Sequence, residues 1–178
     1  MSRAPGGDFR PSERMLIALV EHGRYIRRFL EWTPRGRTNH YLADLAGLLC
    51  LGVYLPPWRE ARGWRELARR ELEREIEVQT DADGFHAEAS TTYHHFVVEI
   101  YELVAAVDRA HALGFSRKFH ERLARMREVD HAMRGSENLD PRLGDDDSGT
   151  LFLPPDLAKG EGPVAARLLR ASGIGILR

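Results

Sequence analysis

Apolar residues recur every three or four positions along most of the chain, whereas the strict alternation typical of strands is nearly absent. This periodicity predicts helices at about residues 11–32, 39–54, 58–78 and 91–113, and a fifth that begins after Ser116 and ends before Gly135. The predicted boundaries fall where the chain carries proline, glycine or a capping serine. The fold class that we predict is therefore all-α, built from antiparallel helical hairpins.

The predicted second helix differs from the others because it is apolar nearly all round. Such a helix is usually enclosed by other helices, so we expect inner helices ringed by outer ones. The third predicted helix combines an apolar stripe with a face of Arg and Glu, including Glu66–Arg70 and Arg69–Glu73 at helical spacing. Since these charges alternate in sign, that face indicates solvent exposure and not a nucleic-acid interface.

Three predicted loops contain most of the residues whose side chains could do chemistry. If successive helices alternate in direction, the second and fourth helices begin on the side where the first, third and fifth helices end. The loops TPRGRTNH, TDADGFHAEASTTYHH and RGSENLDPRLGDDDSG would then share one rim of the helical bundle. The polar and ionisable residues of these loops are Arg35, Arg37, Asn39, His40, His86, Glu88, Tyr93, His94, His95 and Asp145–Asp147.

The residue types at this rim suit an acidic ligand. Helix N-termini favour anions through their unpaired N–H groups and the helix dipole. The Asn39 amide can donate to a carboxylate without adding a charge. Tyr93, beside His94, could transfer a proton if cationic neighbours lowered its pKa. The rim therefore favours an acidic substrate, for instance a uronic acid, over a neutral one.

Each of these residues also has a purely structural interpretation. Asn39 with Thr38 resembles an ordinary N-cap, and Tyr93 could be a core aromatic residue whose hydroxyl is satisfied. His94 and His95 could be surface residues in the first turn of their helix. GDDDSG lacks the spacing and the terminal Glu of an EF-hand loop, so we interpret it as a tight acidic turn. The residues alone leave both interpretations of Asn39 and Tyr93 open.

Composition narrows the classes of function. With 178 residues the chain is most simply one domain, and its net charge of -1 gives no overall field for nucleic acid. The single cysteine, Cys50, excludes an internal disulfide and a multi-cysteine metal site. The longest apolar run, about residues 45–55, is shorter than the ~18–20 residues of a membrane span. We therefore expect neither nucleic acid nor membrane as a partner.

Three segments, taken together, resemble a known family. NHYLADLAGLLCLGVYLP, ELEREIEVQTDADGFHAEASTTYHHFVVEIYELV and GDDDSGTLFLP follow one another as in the heparinase II/III-like polysaccharide lyases. The resemblance runs from about residue 12 to residue 155. It implies that these helices belong to an N-terminal (α/α) toroid whose cleft binds acidic polysaccharide. It also implies a partner that this sequence lacks, the C-terminal β-sandwich domain of a full-length enzyme.

The resemblance further implies β-elimination at a uronic acid. Asn39 would hold the C5 carboxylate, and Tyr93 would transfer the proton at C5 or at the leaving O4. His40 falls where some relatives have a second carboxylate-binding or proton-handling residue. No cofactor and no metal belong to this prediction. The residues that would support substrate binding are Arg35, Arg37, Glu88 and His94.

These inferences combine into one prediction for the chain. We expect a partial (α/α) toroid domain over residues 1–155 and a C-terminal tail over residues 156–178 with at most a short helix. The domain would bind uronate-containing polysaccharide and support β-elimination, and would be incomplete as a catalyst in this chain. The alternative is a non-catalytic helical scaffold that binds an acidic glycan or a protein partner. The N-terminus has no signal peptide, although the resemblance implies a periplasmic or secreted full-length parent.

Overall fold

The computed structural model describes residues 11–34, 36–55, 58–134, 142–146, 151 and 167–176. In this part of the chain the dominant elements are five helices, which confirms the all-α prediction. Their boundaries lie within a few residues of the expected ones. The helices are α1 (Glu13–Arg28), α2 (Asn39–Tyr54), α3 (Arg59–Val78), α4 (Thr91–His111) and α5 (Arg117–Arg134).

Serine side chains begin three of the helices. The Ser12 hydroxyl accepts a hydrogen bond from the backbone N–H of Met15 at 3.2 Å, at the start of α1. Ser90 does the same for α4, and Ser116 does so for α5. These hydroxyls satisfy backbone donors that have no partner within the helix. These three serines therefore set where the helices start.

Helices α2 and α4 lie in the interior, as predicted for inner helices. α2 packs against α1, α3 and α4, and α4 packs against α5 as well. α3 approaches α2 closely at Gly52, where a Cβ atom would lie 2.7 Å from the carbonyl oxygen of Ala61. The α2 leucines that are fully buried are Leu42, Leu45, Leu48 and Leu49.

The described end of the chain differs from the prediction. Residues 167–176 form an antiparallel hairpin of β1 (Arg167–Leu169) and β2 (Ile174–Ile176), where the sequence indicated at most a short helix. Leu169 is fully buried against Phe85, Val129 and Met133. Gly173, with φ +73°, provides the turn. The hairpin forms because it can cover this apolar cluster, and the local pattern carried no sign of that cluster. The predicted division into residues 1–155 and 156–178 stays a prediction.

Candidate functional site

The site lies where α2 and α4 begin. We define the α2–α4 rim as the start of α2 (Arg37–His40), the loop and first turn of α4 (Gln79–Tyr93), and the segment Leu143–Asp146. Glu88, just before α4, hydrogen-bonds Asn39 at the start of α2. Leu143, in the acidic segment, accepts a hydrogen bond from the backbone N–H of Thr91 at 2.9 Å. These contacts bring the three predicted loops to one end of the bundle.

Asn39 and Glu88 are joined by three hydrogen-bond contacts at the rim. Glu88 Oε1 accepts a hydrogen bond from the backbone N–H of Asn39 at 2.7 Å. The Asn39 side-chain nitrogen Nδ2 lies 3.1 Å from Oε1 and 3.0 Å from Oε2 of the same carboxylate. Asn39 is buried, with 6% of its surface exposed, and Glu88 is half-buried. One carboxylate therefore fixes both the backbone and the side chain of Asn39.

This contact corrects the predicted cap of α2. Thr38 occupies the N-cap position, but its side chain makes no capping hydrogen bond. The Glu88 carboxylate takes the place of the cap, because it accepts the N–H of the first helical residue. An ionised acceptor at a helix N-terminus is also favoured by the helix dipole. The cap of α2 is thus supplied from a loop 49 residues further along the chain.

The loop that carries Glu88 is held by a turn around Asp81. Its carboxylate oxygen Oδ1 accepts the backbone N–H groups of Asp83, Gly84 and Phe85, each at 2.9 Å. Arg122 of α5 donates to the carbonyl oxygen of Asp81. The turn is therefore bound to α5, and this attachment orients the residues that follow it.

Gly84 makes this attachment sterically feasible, and its substitution is the first prediction. Gly84 has φ +98°, and a Cβ atom there would lie 2.8 Å from the carbonyl carbon of Arg125. We expect Gly84→Ala to lower the free energy of unfolding by roughly 2–4 kcal/mol, because strain and overlap add. Chemical denaturation measures the change.

Gly63→Ala is the control, because Gly63 is exposed within α3 and a Cβ there meets no atom of the described residues within 4 Å. Alanine at Gly63 should stabilise the protein by about 1 kcal/mol. Equal effects at the two glycines would contradict the prediction.

Tyr93 lies in the first turn of α4 and is half-buried. Its backbone N–H donates to the Ser90 hydroxyl at 3.2 Å. That hydroxyl in turn donates to the carbonyl oxygen of Asp145 at 2.6 Å. Gly144 packs so closely on this corner that a Cβ atom would lie 2.9 Å from the carbonyl oxygen of Ala89. The described part of GDDDSG thus covers the start of α4 and positions the turn that carries Tyr93.

Arg37 pairs with a buried carboxylate. Its Nη1 lies 3.3 Å from Oε1 of Glu75, a carboxylate whose side chain is fully buried. Glu75 Oε2 also accepts a hydrogen bond from Gln79 Nε2 at 3.0 Å. An arginine in a buried ion pair is costly to remove from its partner. Arg37 therefore forms a structural ion pair, and its predicted substrate contact stays a prediction; Arg35 lies outside the described residues.

His40 does not join Asn39 and Glu88. Its side chain is exposed, and its Nδ1 lies 3.2 Å from Oε2 of Glu31, in the segment after α1. The backbone N–H of Glu31 donates to Asp44 of α2 at 2.9 Å. His40 thus points along the α1 side of α2, although it directly follows Asn39. Its predicted catalytic role stays a prediction without a supporting contact among the described residues.

His86 and His94 are buried and neutral. The backbone N–H of His86 donates to Nδ1 of His94 at 3.2 Å, and His94 Nε2 donates to the carbonyl oxygen of Met126 at 3.1 Å. Burial lowers the pKa of His94 to about 4. Burial, together with the adjacent His94, lowers the pKa of His86 to about 3. His94 is fully enclosed with both ring nitrogens in use, so it ties the loop to α5, and its predicted substrate contact stays a prediction.

His95 belongs to a charged cluster with Glu99 and Asp130 that the sequence did not predict. Its Nδ1 lies 3.1 Å from Asp130 Oδ1, and its Nε2 lies 3.4 Å from Glu99 Oε1. Burial alone would lower the pKa of His95, but the hydrogen bonds to Asp130 and Glu99 outweigh it and raise the pKa to about 9. The spacing of His95 and Glu99 on α4 was a visible signal. Asp130 comes from α5, and only the packing of the two helices brings it there.

The remaining predicted rim residues are acidic. Asp145 and Asp146 are exposed, and Arg142 pairs with Asp146 at 3.3 Å. Asp147 lies outside the described residues. Within the described ranges no group of three or more His, Cys, Asp or Glu side chains is arranged to hold a metal ion. In the same ranges no helix combines the length and apolarity needed to cross a membrane.

Comparison with known proteins identifies the family. A family model described as Heparinase II/III N-terminus matches residues 12–152, which is most of the chain and includes the whole helical bundle. The chain belongs to the heparinase II/III family. The resemblance that the sequence segments indicated is thereby confirmed, and the matched residues include Asn39, Glu88 and Tyr93.

Two relatives of this chain are heparin-sulfate lyases of Bacteroides. A heparin-sulfate lyase of Bacteroides thetaiotaomicron is 27% identical over 144 residues, which cover 74% of this chain and 20% of the relative. A heparin-sulfate lyase of Bacteroides stercoris is 31% identical over 81 residues, which cover 46% of this chain and 12% of the relative. The chain thus spans an eighth to a fifth of the length of the curated relatives that it matches.

Solved heparinase structures share the fold. A heparinase III gene product superposes with a TM-score of 0.56 at 21% identity, over 67% of this chain and 18% of that chain. A form of it with methylated lysines gives a TM-score of 0.53 at 22% identity with the same coverage. At this identity the likeness supports the helical fold of the heparinase N-terminal region, and residue roles do not follow from it.

Proposed function

We propose that this chain forms the carboxylate-binding wall of a polysaccharide-lyase cleft, which binds uronate-containing polysaccharide and supports β-elimination. The observation that carries the proposal is the joining of Asn39 and the Glu88–Tyr93 segment at one rim, within the residues that match the family. The names of the relatives, both heparin-sulfate lyases, support an acidic glycan as the substrate class.

The chemistry of β-elimination accounts for the two residues. Abstraction of the C5 proton places negative charge on the adjacent carboxylate, so a neutral donor directed at that carboxylate lowers the barrier. The Asn39 amide is such a donor, and its burial keeps it from being satisfied by bulk water. Tyr93 would act as the proton-transfer group at C5 or at the O4 leaving group. Neither step requires a metal or a cofactor in this proposal.

The proposed cleft extends beyond this chain. We place the five helices in an (α/α) toroid that further helices would complete, and we assign the remaining cleft residues to the β-sandwich domain. The short coverage of the relatives supports this view. The proposal therefore predicts ligand binding by this chain and a β-elimination rate well below that of a complete enzyme.

The test separates binding from catalysis, and it is the second prediction. Heparan sulfate should bind the chain saturably in isothermal titration calorimetry, and carboxyl-reduced heparan sulfate, which keeps its sulfates, should bind more weakly. Ultraviolet absorbance follows the unsaturated uronate ends. Equal binding of the two glycans would contradict the carboxylate-binding wall. Saturable binding without any unsaturated ends would favour the non-catalytic scaffold instead.

A further inference from the structure

The Glu88 carboxylate uses only part of the donor capacity of Asn39. The side-chain amide of asparagine has two N–H donors, which diverge widely from the nitrogen. The two oxygens of one carboxylate subtend a much narrower angle at Nδ2, and they lie 3.0 and 3.1 Å from it. One N–H therefore points between the two oxygens, and the other points away from Glu88. No acceptor other than Glu88 contacts Nδ2 in the part of the chain that the structure describes.

The position of Glu88 is itself fixed by a series of hydrogen bonds that leads to Glu75. The backbone N–H of Glu88 donates to Nδ1 of His86 at 3.5 Å, and His86 Nε2 donates to Oε1 of Gln79 at 3.2 Å. Gln79 Nε2 donates to Glu75, which pairs with Arg37. We call these five residues the buried polar chain: Arg37, Glu75, Gln79, His86 and Glu88.

The buried polar chain closes on itself. Arg37, at one end, lies two residues before Asn39, and Glu88, at the other end, holds the Asn39 side chain. Both sides of the Asn39–Glu88 contact are thus anchored to Glu75, which is fully buried. A neutral His86 is required, because one ring nitrogen must accept while the other donates. Rotation of the Asn39 amide would break its hydrogen bonds to the Glu88 carboxylate, so the amide has one preferred orientation.

We infer that Glu88 is a positioning residue, which holds one N–H of the Asn39 amide and thereby presents the other N–H to a carboxylate of a bound glycan. This inference rests on the proposed function, because it assumes that the ligand is a uronate. It differs from the sequence-based prediction, in which Glu88 contacts the substrate itself. A negative charge so close to an anionic ligand would by itself weaken binding. Glu88 must therefore strengthen binding through the orientation of Asn39 by more than its charge weakens binding. The inference thus predicts that removal of Glu88 lowers glycan affinity.

The chain offers an unusually clean spectroscopic test. It contains only three side-chain amide groups, those of Asn39, Gln79 and Asn138. A ¹⁵N–¹H correlation spectrum of the full chain therefore has three pairs of side-chain NH₂ signals, which Asn39→Ala and Asn138→Ala assign. We expect the two side-chain protons of Asn39 to have widely separated chemical shifts, because only one of them is donated to a carboxylate. Glu88→Ala should reduce the difference between the two chemical shifts. Glu88→Gln, which keeps one carbonyl acceptor, should reduce it only in part.

Titration with a heparan sulfate hexasaccharide then addresses the ligand. In the unsubstituted protein the Asn39 proton that Glu88 does not accept should shift, the other should stay, and carboxyl-reduced hexasaccharide should shift neither. Glu88→Ala should weaken hexasaccharide binding roughly tenfold, the effect of a misdirected hydrogen bond to a charged group. Glu31→Ala is the matched control, since it removes an exposed carboxylate that pairs with His40 and does not contact Asn39. If Glu88 acted through its negative charge alone, Glu88→Ala and Glu31→Ala would both bind the glycan more tightly.

The possible results separate the inference from the proposed function. No glycan-induced shift of Asn39 in the unsubstituted protein overturns the proposed function and the inference with it. A shift and an affinity that Glu88→Ala leaves unchanged overturn the inference alone. Movement of both Asn39 protons on binding also overturns it, because the ligand would then displace Glu88. Circular dichroism confirms that each variant keeps its helices, and Glu88→Gln, which conserves size, serves if Glu88→Ala does not fold.

Discussion

If Tyr93 transfers the proton as proposed, replacing it with phenylalanine is expected to lower the rate of unsaturated-end formation on heparan sulfate by ~10²–10⁴-fold, the usual contribution of a general acid or base. The ring of Tyr93 is half-buried in the first turn of α4, so phenylalanine keeps its packing and removes only the hydroxyl. Glycan affinity should change little. The measurement is the initial rate of absorbance increase at saturating glycan, beside a calorimetric titration of each variant.

Asn39→Ala should act differently from Tyr93→Phe. It removes the proposed donor to the C5 carboxylate, so we expect a loss of roughly 10²–10³-fold in rate together with weaker glycan binding. Tyr25→Phe is the control for the tyrosine substitution, because Tyr25 is a 65% exposed residue of α1. Full rates in both Asn39→Ala and Tyr93→Phe would make the assignment of the catalytic pair wrong.

Acidification is expected to destabilise the protein steeply between pH 6.5 and about pH 4. The pKa values of His86 and His94 are lowered from 6.5 to about 3 and about 4, with burial as the main cause. In the unfolded chain both rings bind protons below pH 6.5, while in the folded protein they do not. Their contribution to stability is therefore complete above pH 6.5 and is lost as the pH falls. With two protons taken up on unfolding, the slope approaches about 2.7 kcal/mol per pH unit.

His95 gives the opposite dependence at alkaline pH. Its pKa is raised to about 9, so its contribution is complete below pH 6.5 and is lost as the pH rises through 9. Stability should therefore be greatest near pH 6.5. Chemical denaturation at a series of pH values measures both arms. His94→Asn should reduce the acid slope by about half, whereas His111→Asn should keep it, because His111 is exposed. An acid slope unchanged by His94→Asn would contradict the assignment to these rings.

Local patterns in the chain were sufficient for the helices. The apolar period predicted α2 to its exact residues, and the all-round apolar character of α2 predicted that other helices enclose it. Burial of apolar surface is nearly independent of the partner that covers it, so such patterns can be read from one segment at a time. The hairpin of residues 167–176 was missed for the same reason, since its one fully buried leucine depends on an apolar cluster formed by distant segments.

Polar contacts were predicted less well, because each depends on a specific partner. Thr38 is of a residue type that often caps helices, but Glu88 supplies the cap of α2. Arg37 and His94 looked available to a ligand, yet Arg37 pairs with the buried Glu75 and His94 is enclosed against α5. A side chain that can serve as cap, ion-pair partner or ligand contact has no preference among these roles until its neighbours are known.

By itself the sequence determined that the chain is helical, that one rim collects its polar loops, and that its segments resemble the heparinase II/III family. The tertiary structure decided which rim residues face one another. It brought Asn39 against Glu88 and turned His40 away toward Glu31. Helical periodicity fixes a residue's face on its own helix, but the direction in which a polar side chain finds its partner is set by packing between segments distant in sequence. That is why Asn39 could be proposed from the sequence, while the Glu88 carboxylate that orients it could not.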